Sequence, residues 1–314
     1  MQDFTYILSL TSPTFLLIAL GYLVVKSGWM PKENVRPLAW FVVNIGLPAA
    51  MFKALSSRPF QDILHYDYLL VYGLGSLLSF ATLFILTRMR NKSFTECALF
   101  GLGASLANSL MIGFPIVTQL FGDDAVVPFT LTLIIENLFI LPLALALALA
   151  DTGQQKNSHF LSAFLKSLPQ LIKNPVILSI ALGLISTIFN LHPPKLVNNI
   201  IDALAMTVGG LCLFAIGGML VGLKTKGMFT DLSSIVMGKL IIHPLSIFIV
   251  ILFFPSVPLL YQHVGILLAC MPMFSVLAII GMRYNHGEVC SAVLLPTTVG
   301  SFITINIVMW IIST

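Results

Sequence analysis

Apolar residues run along this chain in blocks of about twenty, separated by short polar stretches. The blocks fall at approximately residues 5–25, 33–54, 67–87, 95–121 and 126–150, and resume at 171–190, 197–222, 233–254, 260–282 and 289–312. Each is long enough to cross a hydrocarbon core of about 30 Å as a helix, so the pattern predicts ten transmembrane helices. Composition sharpens this. Of 314 residues 58% are hydrophobic and 9% charged, against about 25% charged in soluble domains, and the mean hydropathy is +0.99. The expected fold class is an all-α polytopic membrane protein, one membrane domain over 1–314. The opening MQDFTYILSLTSP lacks the basic n-region of a signal peptide, so the first block is expected to be retained despite Pro13.

The net charge of +4 is small, but its placement is informative. Stretches after odd-numbered blocks hold Lys26, Lys32, Arg36, Arg88, Arg90, Lys92, Lys156, Lys166, Lys173, Lys224, Lys226 and Arg283, which is 12 of the 16 basic residues. The other side has Lys53, Arg58 and Lys195, and Lys239 lies inside a block. By the positive-inside rule the odd loops face the cytoplasm and both termini face away from it. The expected location is a plasma membrane of the bacterial inner-membrane type.

A polar linker over 151–170 divides the blocks into two sets of five, repeat 1 at about 1–150 and repeat 2 at about 171–314. Parts of the sequence recur across it. SPTFLLIALG (12–21) aligns with NPVILSIALG (174–183), and DDAVVPFTLT (123–132) resembles CSAVLLPTTV (290–299). Because five is odd, a duplicated unit must insert its second copy upside down, giving the inverted repeat of secondary transporters.

The fourth block contains ANSLMIGFPIVTQLFG (107–122), with Asn108, Ser109, Gly113 and Pro115 near mid-membrane. The ninth answers it with LLACMPMFSVLAIIGMRYN (267–285) around Pro272. Proline removes a backbone donor and clashes with the preceding turn, and irregular backbone at this depth persists only inside protein or along a wet cavity. The expectation is two crossed, broken helices, with half-helices starting near Pro115 and Pro272. Their positive ends would meet an anion at the midplane. A simple kink at each proline, or Asn108 as an interhelical hydrogen-bonding residue, is the plainer reading. Candidate substrate contacts are Asn108, Ser109, Ile112, Gly113, Pro115, Met271, Pro272, Met273 and Ser275. Blocks 4 and 9 hold no acid except Glu96 at one entrance, so a neutral crossing is expected, favouring an anion over Na⁺ or H⁺ exchange.

Other polar residues within blocks are candidates for coupling or support. Glu136 and Asn137 lie about a third of the way into block 5, where an ionisable group is costly and by default functional. Glu136 reads as a proton-coupling or substrate-supporting group, or as a protonated acid bonded to a neighbouring helix. Lys239 and His243, four apart, share one face of block 8. Lys239 is expected to snorkel to the cytoplasmic end; the pair can otherwise attract a carboxylate or relay protons. Asn44 and Asn306 read as contacts between helices, and Gly217 with Gly218 as a place for close approach.

Taken together these residues resemble the auxin efflux carrier family, which includes bacterial malonate and malate carriers and plant auxin exporters. The resemblance rests on Asn108 with Gly113-x-Pro115, on Pro272 with Tyr284-Asn285, and on NIGLPAAMF (44–52), and it runs over essentially the whole chain. It implies two inverted five-helix repeats, a scaffold part and a transport part, substrate held at the crossover of helices 4 and 9, and alternating access. It also makes a homodimer plausible. The plant members carry a second proline in block 9, where this chain has Val276-Leu277, and a long cytoplasmic loop that is absent here. A small carboxylate therefore fits better than auxin.

Other classes find little support. H-E-x-x-H and G-x-S-x-G are absent, and Asp67, Asp123 and Asp124 lie at block ends rather than paired at catalytic depth. Cys97, Cys212, Cys270 and Cys290 suggest neither a disulfide framework nor a zinc site. No nucleotide, flavin or metal signature is visible, so no cofactor is expected. No basic patch with interleaved aromatics suggests nucleic acid. The expected partners are a small organic anion and the lipid bilayer.

Overall fold

A computed structural model describes residues 4–56, 64–150, 174–191, 193–223 and 228–313. The linker 151–170 and the basic residues Arg58, Lys156, Lys166, Lys173, Lys224 and Lys226 lie outside them. Among the described residues the fold is helical, and its backbone contains a single isolated β-bridge. Seven helices are long and apolar enough to cross a membrane, and two apolar helices are shorter, Pro175–Ile188 and Leu259–Ala269. The chain is thus a polytopic membrane protein. Of the expected blocks, block 6 is represented by the shorter Pro175–Ile188, while blocks 4 and 9 are interrupted. Block 4 splits after Ser105, and its second half runs on through a short turn at Gly122–Ala125 into block 5, making one helical stretch, Ser109–Ala148.

In chain order the α-helices are α1 (Phe4–Lys26), α2 (Val35–Phe41), α3 (Leu47–Ser56), α4 (Tyr66–Met89), α5 (Phe94–Ser105), α6 (Phe114–Phe121), α7 (Val126–Ile135) and α8 (Leu141–Ala150). They continue as α9 (Pro175–Ile188), α10 (Lys195–Met206), α11 (Val208–Met219), α12 (Phe229–Met237), α13 (His243–Ile251), α14 (Leu259–Ala269), α15 (Leu277–Arg283), α16 (Gly287–Ala292) and α17 (Leu294–Ser313). Pro13 leaves α1 continuous.

Four wide turns of π type interrupt this series: Val42–Gly46, Ser109–Gly113, Glu136–Ile140 and Gly238–Ile242. Each is followed, one residue later, by a proline: Pro48, Pro115, Pro142 and Pro244. The residue just before each proline donates its N–H to the carbonyl five back, as Phe114 does to Ser109 and Leu141 to Glu136. Widening the turn by one residue moves aside the carbonyl that the pyrrolidine ring would strike in a regular helix. The helix continues, with a local irregularity held at a fixed place. Glu136 and Lys239 sit in such turns, and Asn108 immediately precedes one.

Helix packing brings α1 against α11 and α3 against α9 and α10, while α4 lies against α5 and α13. The α1–α11 contact is very close. A Cβ on Gly21 would fall 2.0 Å from the Phe214 carbonyl oxygen, and one on Gly217 would fall 1.8 Å from that of Ile18. Lipid offers no hydrophobic drive for helix association, so small residues that let backbones touch are a main source of packing energy. The proximity expected at Gly217 is present, and Gly21 completes it. Asn306 also joins helices, accepting from Thr11 Oγ1 at 2.8 Å, whereas Asn44 bonds its own helix at the Trp40 carbonyl.

The loops sort to two ends. At one, Arg90 pairs with Asp231 at 2.9 Å and Lys92 bridges Glu96 at 3.0 Å and Asp231 at 3.1 Å. Lys32 donates to the Val221 carbonyl at the same end. The hydrogen bond to Glu96 raises the Lys92 ammonium above its ordinary range. Ser93 and Glu96 form a capping box that starts α5. At the other end Ser256 donates to Asp67 at 2.5 Å, and Lys53 pairs with Asp202 at 2.8 Å.

Gly217→Ala is expected to destabilise the protein in detergent by about 1–3 kcal/mol, through forced separation of α1 and α11. Gly210→Ala, on the same helix with no heavy atom within 4 Å of the added carbon, leaves the thermal midpoint unchanged or slightly raised. Equal losses in thermal unfolding would exclude the close backbone contact as the cause.

Candidate functional site at the helix crossing

Between α5 and the wide turn at Ser109 the chain is extended for three residues, Leu106 to Asn108. Between α14 and α15 it is irregular from Cys270 to Val276. The two interruptions meet. Asn108 N–H donates to the Pro272 carbonyl at 2.8 Å and Phe274 N–H donates to the Leu106 carbonyl at 3.3 Å, an antiparallel bridge centred on Ala107 and Met273. Each break thus supplies the hydrogen-bond partner that the other lacks, which lets open backbone exist at membrane depth. Pro272 fits because the bridge needs only its carbonyl. Asn108, at φ −79° and ψ 54°, turns the extended segment back into helix, close to an inverse γ-turn.

The half-helices do not begin at the two prolines. In block 4 helical hydrogen bonding resumes at once, with Ile112 N–H bonded to the Asn108 carbonyl, so Pro115 lies inside the second half-helix, accommodated by its wide turn. In block 9 the new helix starts at Leu277, five residues beyond Pro272. Pro115 is accommodated because the wide turn moves aside the carbonyl it would obstruct, and Pro272 because the bridge does not call on the N–H it lacks.

Asn108 is 4% exposed, and its side-chain amide makes no hydrogen bond to any described residue. Four residues of the crossing are used otherwise. Ser109 Oγ donates to Glu136 Oε1 at 2.8 Å. Met271 and Met273 are fully buried and pack against two glycines of block 4, Met271 near Gly113 and Met273 near Gly103. Ile112 is fully buried in the core. Ser275 is half-buried beyond the bridge, next to the start of α15.

The crossing is not neutral. Glu136, 3% exposed, comes in from the wide turn after α7. Its Oε1 accepts from Ser109 Oγ, from Tyr72 OH at 3.1 Å and from Ala107 N–H at 3.4 Å. Two of these donors flank Asn108. The expected absence of an acid at the crossing considered only helices 4 and 9, and the acid is supplied by a third element. Asn137 turns away and donates to the Leu133 carbonyl at 2.9 Å.

Lys239 does not snorkel. It is fully buried, and its Nζ lies 2.7 Å from His243 Nδ1, while His243 Nε2 lies 3.1 Å from Ser76 Oγ. The wide turn at Gly238–Ile242 rotates the lysine into the protein, so its position near a helix end does not bring it to water. Glu136 and Lys239 form no direct ion pair, and the turn that carries Lys239 packs against α5, the first half of block 4.

Tyr72 and Ser76 were not among the candidates. They are four apart on α4 and continue a buried stripe begun by Tyr68, whose OH is 2.7 Å from Thr132 Oγ1. Hydroxyls at i, i+4 and i+8 in an otherwise apolar helix were the available signal. Below the crossing, Phe114 and Thr118 of α6 border a cavity of roughly 490 Å³ shared with α3 and α10, at the end where Lys53 meets Asp202.

A polytopic helical protein with paired broken helices and ionisable groups at their crossing has the architecture of a membrane transporter. Residues 6–309 match the family described as membrane transport protein, and the chain belongs to that family, the auxin efflux carriers. A candidate malonate transporter of Rhizobium meliloti (strain 1021) is 27% identical over 98% of this chain and 96% of its own length. The uncharacterized transporter YfdV of Escherichia coli (strain K12) is 23% identical over 76% of each chain. The lysosomal cholesterol signaling protein of Mus musculus is 24% identical over 74% of this chain but 28% of its own length.

Since no protein group loses a partner, Asn108→Ala is expected to melt within about 1 kcal/mol of wild type. Glu136→Ala strands three buried donors and is expected to cost several times more. Thermal unfolding of the two variants in the same detergent reads the difference; a strongly destabilised Asn108→Ala would give the amide a structural partner.

Proposed function

We propose that this protein is a secondary transporter of small organic anions, carboxylates of the malonate or malate kind, working by alternating access in a plasma membrane. The observation that carries this is the unspent amide of Asn108, a residue 4% exposed, at the meeting of two broken helices, together with Lys239, the one fully buried lysine or arginine among the described residues. An anion bound there would gain a donor from Asn108 and the attraction of Lys239. The 27% identical relative named for malonate supports the substrate class.

The same reading includes ten helices in two inverted five-helix repeats, and three features favour it. The bridge exchanges equivalent partners, Leu106 and Asn108 standing 166 residues from Pro272 and Phe274. Gly21 and Gly183, matched by the sequence repeat, each approach the neighbouring helix closely, Gly21 on α11 and Gly183 on α3. Odd-numbered loops contact one another at one end and even-numbered loops at the other. With the positive-inside rule this supports a reading with the Arg90–Asp231 end in the cytoplasm and both termini outside. Movement across the membrane is driven by protons or by the membrane potential.

The test is counterflow of labelled malonate and malate in proteoliposomes. Saturable exchange is expected, and losing a hydrogen bond to a charged ligand, about 1.5–3 kcal/mol, predicts a tenfold or greater loss of apparent affinity in Asn108→Ala. Full activity in that variant, or large unitary currents in place of saturable exchange, overturns the proposal. Asp67→Asn and Asp123→Asn, which lie at helix ends and not at the crossing, are expected to transport normally.

A further inference from the structure

The Glu136 carboxyl already stands where an anion at the crossing would be. Through Oε1 it holds the Ala107 amide and the Ser109 hydroxyl, the groups on either side of Asn108, and it faces Lys239 through space. We infer that Glu136 is the resident counter-anion of this site, and that a substrate anion binds together with one proton, which neutralises Glu136. The inference rests on the reading of the crossing as an anion site and adds the coupling ion.

The argument is one of charge and of hydrogen-bond capacity. Facing Glu136 are Tyr72 and Tyr68 of α4, Ser109 and the Ala107 amide at the crossing, and Lys239 from the turn before α13. Lys239 in turn faces His243 and Cys270. Among these groups Lys239 is the one side chain whose ordinary form at neutral pH is cationic, and its ammonium lies 2.7 Å from His243 Nδ1. One buried ammonium balances one carboxylate. A second carboxylate beside Asn108 would leave two like charges a few ångströms apart in a medium that screens them poorly, which disfavours ionisation of both. Protonating Glu136 removes the conflict and leaves Lys239 to the incoming anion. The charge around the lysine is then the same with and without a monovalent carboxylate group bound.

The geometry leaves a place for the proton. All three donors converge on Oε1, and among the described residues Oε2 receives none. A proton from the aqueous phase bonds to Oε2, and the carboxyl remains held through Oε1. As a carboxylic acid, Glu136 presents an O–H donor to the bound anion where an ionised Glu136 presents only a repelling oxygen. On release the anion leaves, Lys239 again needs a counter-charge, and the proton returns to water. Binding of the two species is reciprocal: protons promote anion binding to the degree that the anion promotes proton binding.

The experiment is calorimetric titration of the purified protein with malonate across a pH range in which malonate stays fully ionised. It is done in two buffers of different ionisation enthalpy, so that protons taken up are counted directly. Wild type is expected to take up close to one proton per malonate, with affinity falling about tenfold per pH unit once Glu136 is ionised. Glu136→Gln keeps the acceptor for Ser109, Tyr72 and Ala107, and is expected to bind malonate with no proton uptake and no such pH dependence. Binding by wild type without proton uptake overturns the proposal, and it does so even if the variant fails to fold. Persistence of the full proton count in a folded Glu136→Gln overturns it as well. Failure of wild type to bind malonate, malate or other short carboxylates at any pH instead removes the anion site itself, a result distinct from loss of coupling.

Discussion

Two backbone hydrogen bonds, Asn108 N–H to the Pro272 carbonyl and Phe274 N–H to the Leu106 carbonyl, make the rest of the site possible. In lipid a broken helix exposes donors and acceptors with no water to satisfy them, at several kilocalories each. Here two breaks placed at the same depth answer one another. The short bridge keeps both segments open without leaving them unpaired, and the side chains around it face a fixed point inside the protein. Remove either break and the other becomes a defect.

Proline gives the surrounding helices their second property. Four wide turns, each just ahead of a proline, let a helix pass mid-membrane with one residue too many in the turn. The extra residue changes which side chains point inward. Glu136 and Lys239 occupy the first and second positions of their turns, and both are buried. A regular helix through Gly238–Ile242 would place the lysine on a different face. The same device positions an acid and a base that lie 103 residues apart in sequence, at Glu136 and Lys239.

Burial of both groups decides the chemistry available. A lone ammonium at this depth is costly, and Lys239 has His243 as its single direct polar partner. Its charge is answered from Glu136, which also ties down the start of the half-helix through Ser109. Structure and electrostatics are therefore joined at one carboxyl.

Much of this was legible in the chain. Blocks of apolar residues set the helical segments because each must satisfy its own backbone in lipid. Pro115 and Pro272, with Asn108, located the breaks, although proline alone does not make one, since Pro13 leaves α1 continuous. The close approach at Gly217 and the contact made by Asn306 also followed from residue type. Three matters were decided by tertiary structure. The half-helices start away from the prolines, because a wide turn absorbs Pro115 and a bridge absorbs Pro272. Glu136 reaches the crossing from a neighbouring helix, an approach that no spacing within blocks 4 and 9 encodes. Lys239 turns inward instead of reaching for water, because the geometry of its own turn and the histidine beside it fix its direction. Sequence determined where the backbone must fail to be regular; only packing determined which charged groups meet at that failure.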